Sequence, residues 1–186
     1  MPSPAYFDTS IFLEMATHRS KHKKHIRELL KAFQEDRVRL YTSIITVEEV
    51  SVAIFQRGSA ARDTYGDVSK IARVYTVNKE IALTAAKYEA ALKDITQSEL
   101  GKRDARKPES DEQRLERICE NRRRRWDCFH LATAQYLGCE LFYTTDEKLS
   151  KRPKQLGLKS IKAHSPDLPL ASIRGPLLNN IENDTV

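Results

Sequence analysis

Apolar and polar positions along the chain follow two periods, one typical of strands and one typical of helices. Short apolar runs, bounded by polar or acidic residues, predict buried strands. These runs lie at Ala5–Phe7, Val38–Ser43, Val74–Val77, Leu141–Tyr143 and Leu158–Lys162. Between them, apolar residues recur at spacings of three and four, as on one face of a helix. Strands that alternate with helices predict an α/β fold with a parallel sheet covered on both faces.

Four helices have the most regular spacing. They are predicted from near Ser20, from Thr46, over Lys79 to about Gln97, and over Trp126 to about Leu137. Gly138 follows the last of these, where a helix C-cap is expected. A further helical stretch from Asp111, anchored only by Leu115 and Ile118, leads into the basic run Arg122–Arg125.

The chain of 186 residues is long enough for one domain with a substantial core. We expect this domain to cover residues 1–165. The stretch at about 98–112 is almost devoid of apolar residues and contains Gly101 and Pro108, which predicts a polar insertion or flexible segment. Residues 166–186 are expected to form an irregular C-terminal tail.

Composition limits the class of protein. With 40% hydrophobic and 31% charged residues, the chain fits a folded protein rather than a disordered one. Its net charge of +6 favours a polyanionic partner. The three cysteines fit neither a zinc knuckle nor a CxxC motif, and the sequence shows no export signal and no long apolar run. We therefore expect a reduced, cytoplasmic protein with no membrane-spanning segment.

Four acidic positions lie where parallel sheets carry their sites. Asp8 ends the first strand, Glu48 or Glu49 lies in the helix after the second, Asp127 opens the last long helix, and Asp146 follows the strand after it. These carboxylates can converge, because the carboxyl ends of parallel strands share one edge of a sheet. Close carboxylates repel one another, and Mg²⁺ or Mn²⁺ relieves the repulsion because hard cations prefer oxygen ligands. One or two such ions can activate water for phosphodiester cleavage.

Each acid also has a structural explanation. Asp127 favours the positive end of a helix, and Asp146 opens a turn after a strand. Thr46 and Glu49 have the spacing of a capping box, in which the glutamate bonds back to the Thr46 backbone. Spacing alone leaves Glu48 open as the acidic ligand in place of Glu49.

Three segments together resemble the successive motifs of the PIN-domain ribonucleases, and in particular the VapC-type toxins of toxin–antitoxin pairs. The segments are AYFDTSIFLEM, YTSIITVEEV and WDCFHLATAQYLGCELFYTTDEKL. The resemblance covers most of the chain from Ala5 to about Ala163 and is weakest over Ser98–Arg125. It implies a three-layer α/β/α sandwich with a five-stranded parallel sheet and Mg²⁺- or Mn²⁺-dependent cleavage of RNA. It also implies an antitoxin protein as a candidate partner and often a homodimer.

The resemblance also implies a set of site residues. Carried over by position, the catalytic and metal-binding acids are Asp8, Glu49, Asp127 and Asp146. Glu49 is preferred to Glu48 because the acid of the family immediately precedes the apolar residue that is Val50 here. Thr144 matches a polar position that commonly supports the metal site, and we group it with the substrate-binding side chains.

The arginine run has two interpretations. Arg123 and Arg124 precede Asp127 by four and three residues, so a helix that continues back through them would place all three on one face. There the two arginines could bind RNA phosphates. The alternative is the solvated face of a charged helix.

Two rival functions remain. A phosphatase of the haloacid-dehalogenase type would need a second aspartate two residues after Asp8, where Ser10 stands. A PIN-like module that binds RNA or protein without cleaving it is the other alternative.

The histidines support no zinc site. His18, His22 and His25 lie among lysines, which favours a basic surface over a closed zinc site. His130 lies one turn after Asp127, and a packed core histidine is favoured there over a group that positions a phosphate or water.

Overall fold

A five-stranded parallel sheet forms the centre of the protein in the computed structural model, which describes residues 2–56, 63–100 and 110–167. The strands are β1 (Ala5–Phe7), β2 (Leu40–Ser43), β3 (Arg73–Tyr75), β4 (Leu141–Tyr143) and β5 (Lys162–His164). The helices are α1 (Thr9–Ala16), α2 (Lys23–Glu35), α3 (Ile44–Gln56), α4 (Thr64–Ser69), α5 (Lys79–Leu100), α6 (Asp111–Tyr136) and α7 (Glu147–Gln155). The strand order across the sheet is β3-β2-β1-β4-β5, and every neighbouring pair is parallel.

Side chains alternate across β1 and divide the core into two layers. Ala5 and Phe7 belong to the layer that contains Phe33 of α2, together with residues of α1 and α3. Tyr6 belongs to the opposite layer, where Leu131 of α6 packs. Every residue of β1 and β4 is buried, as expected for central strands covered on both faces. The predicted three-layer α/β/α sandwich with five parallel strands is confirmed.

Helix α6 is continuous and carries the whole arginine run. A capping box between Ser110 and Gln113 closes its N-terminus, and Gly138 adopts a φ of 66° just beyond its C-terminus. The helix predicted over Trp126–Leu137 therefore extends back to Asp111. This continuity fixes the angular positions of the arginines relative to Asp127.

Three of the predicted strands had a wrong boundary. The second strand begins at Leu40 rather than at Val38. The last strand was predicted over Leu158–Lys162, whereas β5 begins at Lys162. Leu158 and Ile161 instead fill the core from the turn that leads into β5, so their apolar character does not mark a strand. The third strand ends at Tyr75 rather than at Val77. β3 and β5 are edge strands, where burial on two faces no longer marks the boundary.

The junction of β2 and α3 has no loop. Ser43 ends the strand, Ile44 begins the helix, and the Ser43 Oγ accepts a hydrogen bond of 3.2 Å from the Ile45 N–H. The predicted helix start at Thr46 and its capping box with Glu49 are therefore wrong. Thr46 lies inside the first turn, buried, and its hydroxyl lies 2.8 Å from that of Thr42.

The predicted insertion and tail fall largely outside the described residues. Helix α5 ends at Leu100 and α6 begins at Asp111, so residues 101–109 of the predicted polar segment are not described. The same holds for residues 168–186 of the predicted tail. No helix in the described parts of the chain is long and apolar enough to span a membrane.

Candidate active site

Asp8 lies at the carboxyl end of the central strand β1. It is the N-cap of α1, its side chain accepts a hydrogen bond of 3.2 Å from the Ser10 N–H, and the residue is 4% exposed. A second hydrogen bond to the same oxygen comes from the Thr144 hydroxyl at 2.9 Å. Because Thr144 follows β4, this bond ties together the exits of two adjacent strands.

Thr144 also fixes the position of Asp146. The Thr144 Oγ1 accepts a hydrogen bond of 3.0 Å from the Asp146 N–H, and Thr144 is buried. Asp146 is the N-cap of α7, where its Oδ1 accepts from the Lys148 and Leu149 N–H groups at 2.7 and 3.1 Å. The structural explanation of Asp146 was that it opens a turn after a strand, and in the structure the residue follows β4 and caps α7. Its side chain remains exposed at the sheet edge.

Glu49 reaches the site from the second turn of α3. Its Oε2 accepts hydrogen bonds from the Thr9 hydroxyl and from Nε2 of His130, the latter at 3.1 Å. Burial raises the pKa of Glu49, but the hydrogen bonds from His130 and Thr9 and the charges of His130 and Arg122 lower it to below its ordinary value. Glu49 is therefore an ionised carboxylate at neutral pH. Glu48, its neighbour, is exposed.

His130 joins two of the acids from inside the protein. Its side chain is 2% exposed, and its Nε2 lies 3.1 Å from Glu49 and 3.6 Å from Asp8. Its Nδ1 lies 2.8 Å from the Tyr6 hydroxyl. A carboxylate can only accept, so Nε2 carries a hydrogen and donates to Glu49. The histidine is buried as predicted, but it contacts the acids, which its sequence position one turn after Asp127 only suggested.

The pKa of Asp127 is raised above its ordinary value. Burial raises its pKa, and although Arg152 and His130 lower it, the charges of Asp8 and Asp146 raise it further, to about 7. Asp8, Asp127 and Asp146 therefore lie close enough for their charges to interact, and His130 links Glu49 to the group. The structure brings all four predicted acids to one edge of the sheet.

Arg152 contacts Asp127 and was not predicted from the sequence as a site residue. It lies in the last turn of α7, and its Nε is 3.4 Å from the Asp127 Oδ2. A second guanidinium nitrogen is 3.6 Å from the Glu120 Oε1. The only signal in the sequence was the basic character of Arg152, which lies in the last turn of the helix that Asp146 caps.

The arginine run is divided between the interior and the surface. Arg124 is 6% exposed and donates a hydrogen bond of 2.6 Å to the Asn121 side chain, whereas Arg122, Arg123 and Arg125 are exposed. Arg125 pairs with Glu89 of α5 at 3.3 Å. The burial of Arg124 argues against a phosphate contact in this conformation, and the predicted substrate-binding role of Arg123 stays a prediction.

The chemistry of these side chains suits a hard divalent cation, although their present arrangement is not a closed metal site. All four acids offer oxygen ligands, and burial together with the charges of Asp8 and Asp146 raises the pKa of Asp127. Within residues 2–56, 63–100 and 110–167, no group of three His, Cys, Asp or Glu side chains could hold a metal ion as placed. Hydrogen bonds and ion pairs to Thr144, His130 and Arg152 account for the present orientations.

Comparison with known proteins identifies the family. The model of the PIN domain family matches residues 5–155, which is most of the chain, so the chain belongs to the PIN domain family. Proteins of this family are generally nucleases that use divalent metals. The match confirms the resemblance and sets aside the haloacid-dehalogenase-type phosphatase.

Two further comparisons add a structural neighbour and a negative result. One solved structure, described as a toxin–antitoxin complex from Klebsiella pneumoniae, is similar with a TM-score of 0.48 and 18% sequence identity. The match covers 87% of this chain and 97% of that chain. No curated protein matched the sequence. The assignment to the family rests on the sequence match over residues 5–155.

Proposed function

We propose that the protein is a metal-dependent endoribonuclease whose catalytic acids are Asp8, Glu49, Asp127 and Asp146. The observation that carries the proposal is the convergence of these acids from β1, α3, α6 and the β4–α7 junction. Burial is the main cause of the raised pKa of Asp127, and the charges of Asp8 and Asp146 raise this pKa further, against the lowering effect of Arg152 and His130. Such a site has an electrostatic need for a cation, and membership of a nuclease family supports the same conclusion.

The four acids would hold Mg²⁺ or Mn²⁺, which supplies a Lewis acid and an activated water for phosphodiester hydrolysis. The remaining residues orient these ligands. Thr144 holds Asp8 and, through the Asp146 N–H, the start of α7. His130 and Thr9 hold Glu49 in its ionised form. Thr144 in this proposal supports the ligands rather than touching the substrate.

RNA is the proposed substrate because the chain carries a net charge of +6 and exposes arginines on the helix that bears Asp127. Arg123 is exposed four residues before Asp127, about one turn along α6. We infer that Arg123 contributes to holding the RNA strand. A positively charged surface beside an acidic site keeps the polyanion close without neutralising the acids.

Protein partners are a further part of the proposal. Leu115 and Ile118 on the N-terminal half of α6 are 63% and 51% exposed, and this apolar surface supports a protein contact. The sequence resemblance suggests an antitoxin or a second copy of the chain as the partner. Growth arrest on expression, relieved by a protein encoded next to this one, would support a toxin role in the cytoplasm.

The test of the proposed function is cleavage of a labelled single-stranded RNA with Mg²⁺ or Mn²⁺. We expect cleavage that stops in EDTA and falls by orders of magnitude in Asp146→Asn, because a ligand carboxylate is lost. Glu147→Gln, which removes an exposed acid at the next position, is the matched control and should retain activity. Cleavage that persists in EDTA would contradict the proposal. RNA binding without cleavage would favour the non-catalytic module.

A further inference from the structure

Arg152 stands apart from the other site residues because it brings a permanent positive charge into a group of acids. Its side chain is 11% exposed, beside that of Asp127 at 14%. Glu120 and Asp127 lie seven residues apart on α6, about two turns, so one guanidinium spans two acids on the same face. Leu149 and Pro153, both buried on α7, hold the helix that carries Arg152 against the core.

The ion pairs of Arg152 are loose. Its contacts with Asp127, Glu120 and Gln155 measure 3.4, 3.6 and 3.4 Å, whereas a charge-assisted hydrogen bond is typically about 2.7–2.9 Å. None of these contacts is the two-bond fork that arginine forms with a well-placed carboxylate or phosphate. The guanidinium is therefore held in place without having satisfied its preferred geometry.

We propose that Arg152 is a phosphate-binding residue of the site, kept beside Asp127 by loose ion pairs until an RNA phosphate replaces them. A phosphate offers two oxygens to the planar guanidinium, which matches the two-bond geometry that arginine prefers. This inference rests on the proposed function, because it assumes that an RNA strand passes Asp127. Glu120 also pairs with Lys148 at 2.8 Å, so it remains paired with a positive charge when Arg152 binds the phosphate.

The test compares Arg152→Gln, Arg152→Lys and Lys151→Gln in RNA binding. Lys151 is exposed on the same helix, so its variant removes the same charge without altering the ion pairs of Arg152. Binding is measured in Mn²⁺ on the Asp146→Asn background, where we expect hydrolysis to be stopped. We expect Arg152→Gln to weaken binding by about 10–100-fold and to reduce the salt slope by about 0.7 log units. Arg152→Lys should keep the slope but lose part of the affinity, because lysine lacks the fork.

Titration of each protein with Mn²⁺ alone supplies a second readout. Arg152→Gln should bind Mn²⁺ as tightly as the unsubstituted protein or more tightly, because a competing cation has been removed from Asp127. Weaker Mn²⁺ binding would mean that Arg152 orients Asp127 for the metal and would overturn the proposal. So would unchanged RNA affinity in Arg152→Gln, or an equal loss in Lys151→Gln.

The two proposals fail in different ways. If the unsubstituted protein binds RNA but does not cleave it, the nuclease function fails, and the binding loss in Arg152→Gln still establishes the phosphate contact. If the protein cleaves RNA and Arg152→Gln has an unchanged Michaelis constant and salt slope, the nuclease function stands and the role of Arg152 is refuted.

Discussion

His130 and Glu49, separated by 81 residues in sequence, meet at 3.1 Å through Nε2 and Oε2. The bond connects α6 with α3 beneath the carboxyl edge of the sheet. The hydrogen bond and the charge of His130 lower the pKa of Glu49 and so favour its ionised form. Glu49 is thus oriented by the core of the protein rather than by its own helix.

The first prediction separates the two adjacent glutamates. Glu49→Gln should lose RNA cleavage by orders of magnitude, because the amide is neutral and is a poorer ligand for a hard cation. Glu48→Gln, with the substituted side chain exposed, should keep cleavage near the unsubstituted level. Cleavage rates with Mn²⁺ and melting temperatures check both variants. If Glu48→Gln is inactive and Glu49→Gln is active, Glu48 rather than Glu49 is the acidic ligand.

The second prediction concerns His130 as an orienting residue. His130→Gln retains an N–H group that can donate to Glu49, whereas His130→Ala does not. Both should lower the melting temperature, because a buried side chain and its bond to Tyr6 are lost. At matched folded fraction, we expect the Gln variant to retain more cleavage activity and tighter Mn²⁺ binding. Equal activities of the two variants would indicate that His130 only packs.

The third prediction follows from the raised pKa of Asp127. The folded-state pKa of about 7 exceeds the ordinary value of 3.8, so the folded protein holds this proton more tightly than the unfolded chain. Asp127 should therefore lower the free energy of unfolding as pH rises from about 4 to about 7. The measurement is denaturant unfolding in EDTA across this range. Asp127→Asn should lack this part of the decline, and parallel curves for the two proteins would contradict the assignment.

The fourth prediction distinguishes the buried arginine from its exposed neighbour. Arg124→Ala should lower the free energy of unfolding by about 0.5–3 kcal/mol, because a packed side chain is removed. Arg123→Ala should leave stability almost unchanged and reduce the salt slope of RNA binding by about 0.7 log units. Unfolding curves and binding against log salt measure the two effects. A reduced slope in Arg124→Ala alone would reverse the assignment.

The sequence predicted the parts of the fold in which burial leaves a clear pattern. Ala5–Phe7 and Leu141–Tyr143 were located correctly because a central parallel strand is apolar on both faces. The start of α3 was misplaced because Ile44 and Ile45 have the β-branched character of a strand, although they already form the helix. The preference of these two residues for strand conformation is overridden, because β2 continues into α3 with no loop between them.

The orientation of the site residues was less accessible from sequence. Asp8 and Asp146 follow strand ends and cap helices, as their sequence positions predicted. Asp127 was expected at the positive end of a helix, and that expectation was wrong, because α6 begins at Asp111 and places Asp127 inside the helix. His130 and Arg152 act through contacts that span 81 and 25 residues, and no local spacing encodes such contacts. The inward rotation of Arg124 likewise depends on where α6 meets the core.

The pairing of β1 with β4 has a consequence for protein synthesis. One of the two neighbours of β1 in the sheet is β4, the fourth strand in sequence. Its first residue, Leu141, is synthesised long after Asp8. A nascent chain that ends before Leu141 can form β1 with β2, yet it has no neighbour for the other edge of β1 and no Asp146. Such a chain carries an incomplete set of acids, so the four acids can come together only after β4 and Asp146 have been synthesised.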